Sequence, residues 1–273
     1  MRAWIDGALL SDPTGPAVAV TDHGFTVGDG VFEAIKVVDG LPFALDLHLE
    51  RLARSAAGLG LPPLDHDVVR RGVREVVEDQ ELPLGRVRIT VTGGPAPLGS
   101  GRGDHAPTVV VVAAAMAPAP MTTAVATVPW PRNERGATAG LKTTSYAENV
   151  IALAQAQRRG ASEAVLANLA GHLCEGTGSN VFYVVDGELR TPTLASGCLA
   201  GVTRGLLLEW HGGREVDEPI EVVEQASEVF LVSTTRDVQG VHAWDGRALE
   251  APGPVTREAA AAWAAREPEL FGF

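Results

Sequence analysis

Lysine is nearly missing from this 273-residue chain: of its 22 basic residues only Lys36 and Lys142 are lysine, and arginine supplies the rest. Positive charge is in deficit overall, at a net −12. That argues against a general binder of nucleic-acid backbones, whose affinity rests on clustered Lys and Arg, while leaving room for a local basic pocket for a small anion. No apolar run approaches the roughly 20 residues of a membrane-spanning helix. The start, Met1-Arg2-Ala3-Trp4-Ile5-Asp6-Gly7, has no signal-peptide core. The only cysteines, Cys174 and Cys198, show neither metal-ligand spacing nor a disulfide framework. His23, His48 and His105 are scattered, so no metal site is expected. The expectation is a reduced, cytoplasmic enzyme without nucleic-acid, membrane or metal partners.

What is present is ordinary globular material, 45% hydrophobic and 21% charged, enough for one large domain or two small ones. Leu49, Leu52 and Ala56 recur at helical spacing between Leu47 and Gly58, and a second helix is expected over 67–78. Val31 to Val38 ends in the hairpin turn Asp39-Gly40. Strands are expected at 86–92, where apolar residues alternate, and at 109–113. Ala117-Pro118-Ala119-Pro120 is the clearest linker. Beyond it the pattern predicts strands at 123–128 and 164–168, with a helix at 145–159 between them. Strand, turn and strand follow over 180–190, then a helix from Thr203, a strand at 228–233 and a hairpin at Trp244-Asp245-Gly246. This describes two α/β domains, residues 1–117 and 123–273, joined by a linker at 118–122, with a site expected in the cleft between them.

A lysine kept where arginine carries almost all positive charge suggests a task a guanidinium cannot do. Arginine stays protonated, whereas a lysine can shed its proton and attack a carbonyl. Lys142 stands in Leu141-Lys142-Thr143-Thr144-Ser145-Tyr146-Ala147-Glu148-Asn149. It is followed by Cys174-Glu175-Gly176-Thr177-Gly178-Ser179-Asn180-Val181-Phe182 and then by Gly201-Val202-Thr203-Arg204. Upstream lies His48-Leu49-Glu50-Arg51-Leu52. The glycine-rich stretches Gly28-Asp29-Gly30 and Gly99-Ser100-Gly101-Arg102-Gly103 lack the strand–loop–helix setting and Lys-Ser/Thr end of a phosphate-binding P-loop.

In this order, from Asp22-His23-Gly24-Phe25 through Val241, the motifs resemble those of the fold-type IV, class IV aminotransferase-like enzymes. That family works with pyridoxal phosphate (PLP) and includes branched-chain aminotransferases, D-amino-acid transaminases and 4-amino-4-deoxychorismate lyases. The resemblance implies a smaller N-terminal α/β domain, a larger C-terminal PLP-binding domain and a homodimer. It implies Lys142 as the Schiff-base lysine and proton carrier, and Glu175 as the partner that keeps the pyridine nitrogen protonated. Arg51, Val202, Thr203 and Thr234 are implied at the phosphate, where a helix start and a two-pronged guanidinium both suit an anion. Tyr146 is implied near the phenolic oxygen, one residue out of register with the branched-chain pattern. Ser179 and Asn180 are implied as further cofactor contacts. Phe32, Arg88, Arg102, Thr235 and Arg236 are assigned to the substrate side.

Substrate-side residues separate the members. The Arg-x-His carboxylate trap of D-amino-acid transaminases corresponds to Leu98-Gly99-Ser100, and a leucine binds no carboxylate. The Tyr-x-Arg strand of branched-chain enzymes becomes Arg86-Val87-Arg88, and their Gly-Thr-Ala-Ala turn becomes Ser233-Thr234-Thr235-Arg236. The lyases share the Lys142-x-x-x-x-x-Glu148-x-Val150 register. A substrate with two carboxylates suits Arg88, Arg102 and Arg236. The sequence is therefore read as a lyase that eliminates pyruvate to give 4-aminobenzoate. The alternative is an aminotransferase for D-amino acids or small apolar amino acids, and both activities can coexist.

Overall fold

The computed structural model describes all residues, 1–273. The chain divides into two compact units. The first gathers Met1–Pro118, Leu141–Ser145 and Glu269–Phe273; the second holds Ala119–Gly140 and Tyr146–Pro268.

In the first unit, β1 (Arg2–Ile5), β2 (Ala8–Leu9), β3 (Gly30–Val38), β4 (Leu41–Pro42), β5 (Leu84–Thr92) and β6 (Thr108–Ala115) form one sheet. Its order is β2-β1-β6-β5-β3-β4, and every pairing is antiparallel. The short α1 (His23–Thr26) precedes β3, and α2 (Leu45–Leu59) and α3 (His66–Val77) lie between β4 and β5. Strand parity decides the core. Val31, Ile35, Val87, Ile89, Val91 and Val111 share one face with Leu49 and Leu52 of α2 and Val69, Val73 and Val76 of α3. Each such burial stabilises by about 1.5–3 kcal/mol. Asp65 caps α3 by accepting from Asp67 N and Val68 N. Gly60, at φ +74, ends α2 in the left-handed conformation that glycine adopts without strain.

A single cut at 118–122 therefore does not describe the chain. Thr143 bridges Val31 as an added edge, with Phe32 N donating to Lys142 O at 3.0 Å and Thr144 N to Gly30 O at 2.8 Å. The last residues return to β4: Gly272 N donates to Pro42 O, and Phe271 packs edge-on against Phe43. Pairing between strands distant in sequence, rather than chain order, sets the grouping.

The second unit contains β7 (Thr122–Thr127), α4 (Ala147–Arg158), β8 (Glu163–Ala167), β9 (Leu173–Gly176), β10 (Asn180–Val185) and β11 (Glu188–Thr191). It continues with α5 (Val202–Trp210), β12 (Arg214–Glu215), β13 (Glu228–Ser233), β14 (Asp237–Trp244), β15 (Arg247–Ala248) and α6 (Pro254–Arg266). Its sheet runs β12-β11-β10-β13-β14-β7-β8-β9, with β15 on β14. It is mixed, since β14–β7, β7–β8 and β11–β12 are parallel.

β10 and β13 read as near-continuous apolar runs because both of their faces are covered. Val181, Tyr183, Val229 and Leu231 pack to one side, and Phe182 and Phe230 pack with Leu207 of α5 and Ala259 of α6 to the other. Glu228 caps α6 by accepting from Val255 N and Thr256 N. α6 was not expected from the sequence, whose alanine-rich stretch there has no apolar stripe to show the period. No helix is long and apolar enough to cross a membrane.

Candidate active site

Lys142 is held by backbone pairing to β3, and its own N–H donates to Ser55 Oγ of α2 at 3.1 Å. The glycine turn before β3 makes this approach possible. A Cβ on Gly30 would lie 2.8 Å from Val91 O and 3.0 Å from Thr144 Oγ1. Thr144 and Ser145 both donate their hydroxyls to Gly28 O. Lys142 Nζ thus sits 4.4 Å from the centre of the Phe32 ring. The Arg88 guanidinium lies over that ring at 3.9 Å. Phe32 and Arg88 share the sheet face opposite the helices, and Arg88 pairs with Ala34, two residues along β3.

On the helix face, Glu33 is fully buried. It accepts from Arg51 Nε at 2.8 Å, Arg51 Nη2 at 2.7 Å and His48 Nδ1 at 2.8 Å. Burial alone pushes the Glu33 carboxyl up, but the charge and hydrogen bonds of Arg51 and the bond from His48 outweigh it and hold it at about 2. Burial lowers the His48 pKa despite Glu33, and the charges of Arg51 and Lys142 lower it further. One edge of the Arg51 guanidinium is therefore taken up by Glu33. The sequence reading missed this carboxylate, although a glutamate at core parity between Val31 and Ile35 is itself a signal of a buried pair.

Arg102 in the glycine-rich loop is also engaged. It grips Asp29 with Nε and Nη2, and donates to the Leu59 and Gly60 carbonyls at the end of α2. His23 joins from the other side, to Asp29 Oδ2 at 3.1 Å and Gly99 O at 3.0 Å. This arginine latches its loop to α2 and to the turn before β3.

In the second unit Glu175 ends β9. Its Oε2 accepts from Leu199 N at 2.9 Å, and its Oε1 forms an ion pair with Arg132 Nε at 3.1 Å. Arg132 also donates to Asn149 Oδ1, and Asn149 Nδ2 donates to the Thr177 carbonyl at 2.6 Å. The Tyr146 hydroxyl reaches that same carbonyl at 3.4 Å. Neither Arg132 nor Asn149 was expected from the sequence, since no motif sets apart an arginine in irregular chain.

The Ser179-Asn180 turn lies against the start of α5. Asn180 Nδ2 donates to Leu199 O, and a Cβ on Gly201 would fall 2.1 Å from Asn180 Oδ1, so only glycine fits there. Ser179 Oγ and Thr203 Oγ1 are buried and have no hydrogen-bond partner in the protein. Unpaired buried hydroxyls are costly. Two of them beside the free N–H groups of a helix start suit an anion. Val202 and Thr203 open that helix, and Thr234 is buried just beyond β13. Thr235 and Arg236 follow, with Arg236 bound to Glu163 and Gln239. Burial pushes both thiols up, Cys198 to about 11, so neither serves as a nucleophile at neutral pH.

Residues 30–244 match the family model described as amino-transferase class IV. The chain is 29% identical to the D-alanine aminotransferase of Bacillus licheniformis, over 94% of each chain. Its fold superposes with a TM-score of 0.89 on the branched-chain aminotransferase of Thermoproteus uzoniensis, solved with norvaline, at 28% identity and over 97% of this chain and 93% of that one. A candidate 4-amino-4-deoxychorismate lyase of Legionella pneumophila superposes at 0.87, with 26% identity over 94% and 98%. The chain belongs to the class IV aminotransferase family and has its mixed α/β, fold-type IV architecture. It is an enzyme, and the cofactor of its class is pyridoxal phosphate. The residues present fit that group: an amine on Lys142, a braced carboxylate on Glu175, and two buried hydroxyls by a helix start.

Proposed function

We propose that this protein is an aminotransferase that moves the amino group of an amino acid to a 2-oxo acid. The observation that carries the reading is the shared Phe32 ring, with Lys142 Nζ at 4.4 Å and the Arg88 guanidinium at 3.9 Å. A reactive amine and a guanidinium against one ring suit an amino acid, whose carboxylate and amine sit on the same carbon. Pyridoxal phosphate, when bound, supplies the carbonyl that takes up the amine and the ring that accepts electron density.

The protein does the rest. Lys142 Nζ removes and returns the proton at the amine-bearing carbon. Arg88 holds the substrate carboxylate. Glu175, oriented by Leu199 N and Arg132, takes the hydrogen bond from the ring nitrogen. Ser179, Thr203, Thr234 and the α5 N–H groups hold the phosphate. Phe32 forms a wall against which both cations rest.

The lyase reading stands second, favoured by the Lys142-to-Val150 register and the Legionella relative. Against it, Arg102 is gripped by Asp29 and Arg236 by Glu163, and a two-carboxylate substrate would compete with those carboxylates. Expected for the aminotransferase is loss of the bound cofactor's visible band on adding an amino acid, and its return on adding a 2-oxo acid. Repeated formation of 4-aminobenzoate and pyruvate from aminodeoxychorismate, with no 2-oxo acid present, establishes the lyase instead.

A homodimer in the cytoplasm completes the reading. Val20, Phe25 and Leu98 are 79%, 76% and 83% exposed in the single chain, apolar surface of the kind a subunit contact covers. Sedimentation as a monomer at micromolar concentration removes that part.

A further inference from the structure

Arg236 and Glu163 occupy the middle of a polar chain that runs through the second unit. Glu163 opens β8, with its side chain 2% exposed. Its Oε2 accepts from Arg236 Nη2 at 2.6 Å, and its Oε1 accepts from Gly178 N at 2.8 Å and from the Thr177 hydroxyl. Arg236 Nη1 donates to Gln239 Oε1 at 2.6 Å, and Gln239 Nε2 donates to Pro120 O at 2.7 Å. From Thr177 the chain continues through Asn149 and Arg132 to Glu175. Gly176 lets Glu163 come close, since a Cβ there would lie 3.1 Å from Glu163 Cγ and 2.5 Å from Ser179 Oγ.

We propose that Arg236 is a positioning residue and not a substrate ligand. Through Glu163 it ties the turn bearing Thr234 and Thr235 to the turn between Glu175 and Asn180. Resting on the PLP reading above, both turns then hold one cofactor, and the clamp sets their spacing. A guanidinium in close contact with a buried carboxylate is neutralised by it and offers little charge to a second anion. Its removal leaves Glu163 buried without its cation, so the damage passes to Thr177 and Gly178 rather than to a substrate carboxylate. The enzyme consequently gains no preference for dicarboxylic substrates from Arg236.

The test uses full-length protein with Arg236→Ala, Arg236→Lys, Glu163→Gln and the Arg236→Ala/Glu163→Gln double variant. It reads the PLP dissociation constant, and KM and kcat with alanine and with glutamate. PLP affinity is expected to fall about tenfold in Arg236→Ala and in Glu163→Gln, with partial recovery in Arg236→Lys. The double variant should be no worse than the poorer single, because both break one clamp. KM for alanine and for glutamate should move by the same factor. A rise in KM for glutamate alone, with PLP affinity unchanged, overturns the proposal in favour of a substrate ligand. A lower unfolding midpoint with unchanged PLP affinity also overturns it, leaving a purely structural pair. If the parent chain binds no PLP, the functional reading fails on its own. The clamp is then read by hydrogen exchange at the Thr177 and Gly178 amides, where equal protection in Arg236→Ala and the parent chain refutes it.

Discussion

The first unit buries the Glu33 carboxylate between Arg51 and His48, on the opposite face of the strand that carries Phe32. The second unit strings Glu163 and Glu175 along an open chain of polar side chains and keeps the Ser179 and Thr203 hydroxyls buried without protein partners. Both arrangements bury polar groups, yet they serve different ends. A carboxylate ringed by its own cations stiffens a scaffold, and the Glu33 cluster braces the strand to which Lys142 is paired. Hydroxyls left over at a helix start raise the cost of the empty fold and favour whatever anion satisfies them. The contrast predicts that mutations in the first cluster act on stability, and those in the second on cofactor binding.

The largest effect is expected at Lys142. Lys142→Ala and Lys142→Arg should each lower turnover by at least ~10³-fold, because an arginine retains the charge but cannot give up its proton. Steady-state assay with an amino acid and 2-oxoglutarate checks this. Appreciable turnover in Lys142→Arg would refute the role.

Glu33→Ala comes next and tests the scaffold side. Removing one partner of a buried ion pair costs about 3–5 kcal/mol, read as a lower midpoint in denaturant unfolding of the apo chain. The same pair sets an acid limit. The folded-state pKa of Glu33 lies below its ordinary value, at about 2 against 4.5, so its stabilisation is complete above pH 4.5 and disappears as pH falls toward 2. His48, lowered from 6.5, acts in the same direction from a higher pH, since the unfolded chain takes up its proton first. Unfolding curves between pH 7 and 3 should show stability falling with pH, and the lower part of that slope should flatten in Glu33→Gln.

Smaller, and opposite in character, is Thr203→Val. The apo chain should be unchanged or slightly more stable, since a buried unsatisfied hydroxyl is removed, while PLP affinity falls by about 5–10-fold for the loss of a hydrogen bond to an anion. Equal losses in both quantities would erase the distinction between the units. The smallest effect is reserved for Glu50→Ala. Its pair with Arg54 is exposed on both sides and 3.9 Å apart, so the unfolding free energy should change by less than about 0.5 kcal/mol.

Much of the fold was legible in the amino-acid order. The strand at 228–233 has the expected bounds, and α2, α3 and α4 lie within two residues of theirs, because apolar period and terminating glycines are local signals. β9 and α6 were not legible. β9 reads as part of a glycine-rich turn, and α6 is defined by the cap from Glu228 and by packing on β13 and β14. At the candidate site, the sequence singled out Lys142 and Glu175 by residue type and motif. It did not reveal the arginine partners.

By itself, the sequence determined which chemistry is available: an isolated lysine in an arginine-rich chain, an acidic Gly-Thr-Gly-Ser-Asn turn, and a helix opening on Val202. Those properties follow from residue type and local spacing. Only the tertiary structure decided where each cation came to rest. Arg51 met Glu33, Arg102 met Asp29 in the turn before β3, and Arg236 met Glu163 across 73 positions of chain, whereas Arg88 came to rest on the same ring as Lys142. A guanidinium's charge is written in the sequence, but its partner is chosen by strand pairing and packing among residues far apart in the chain.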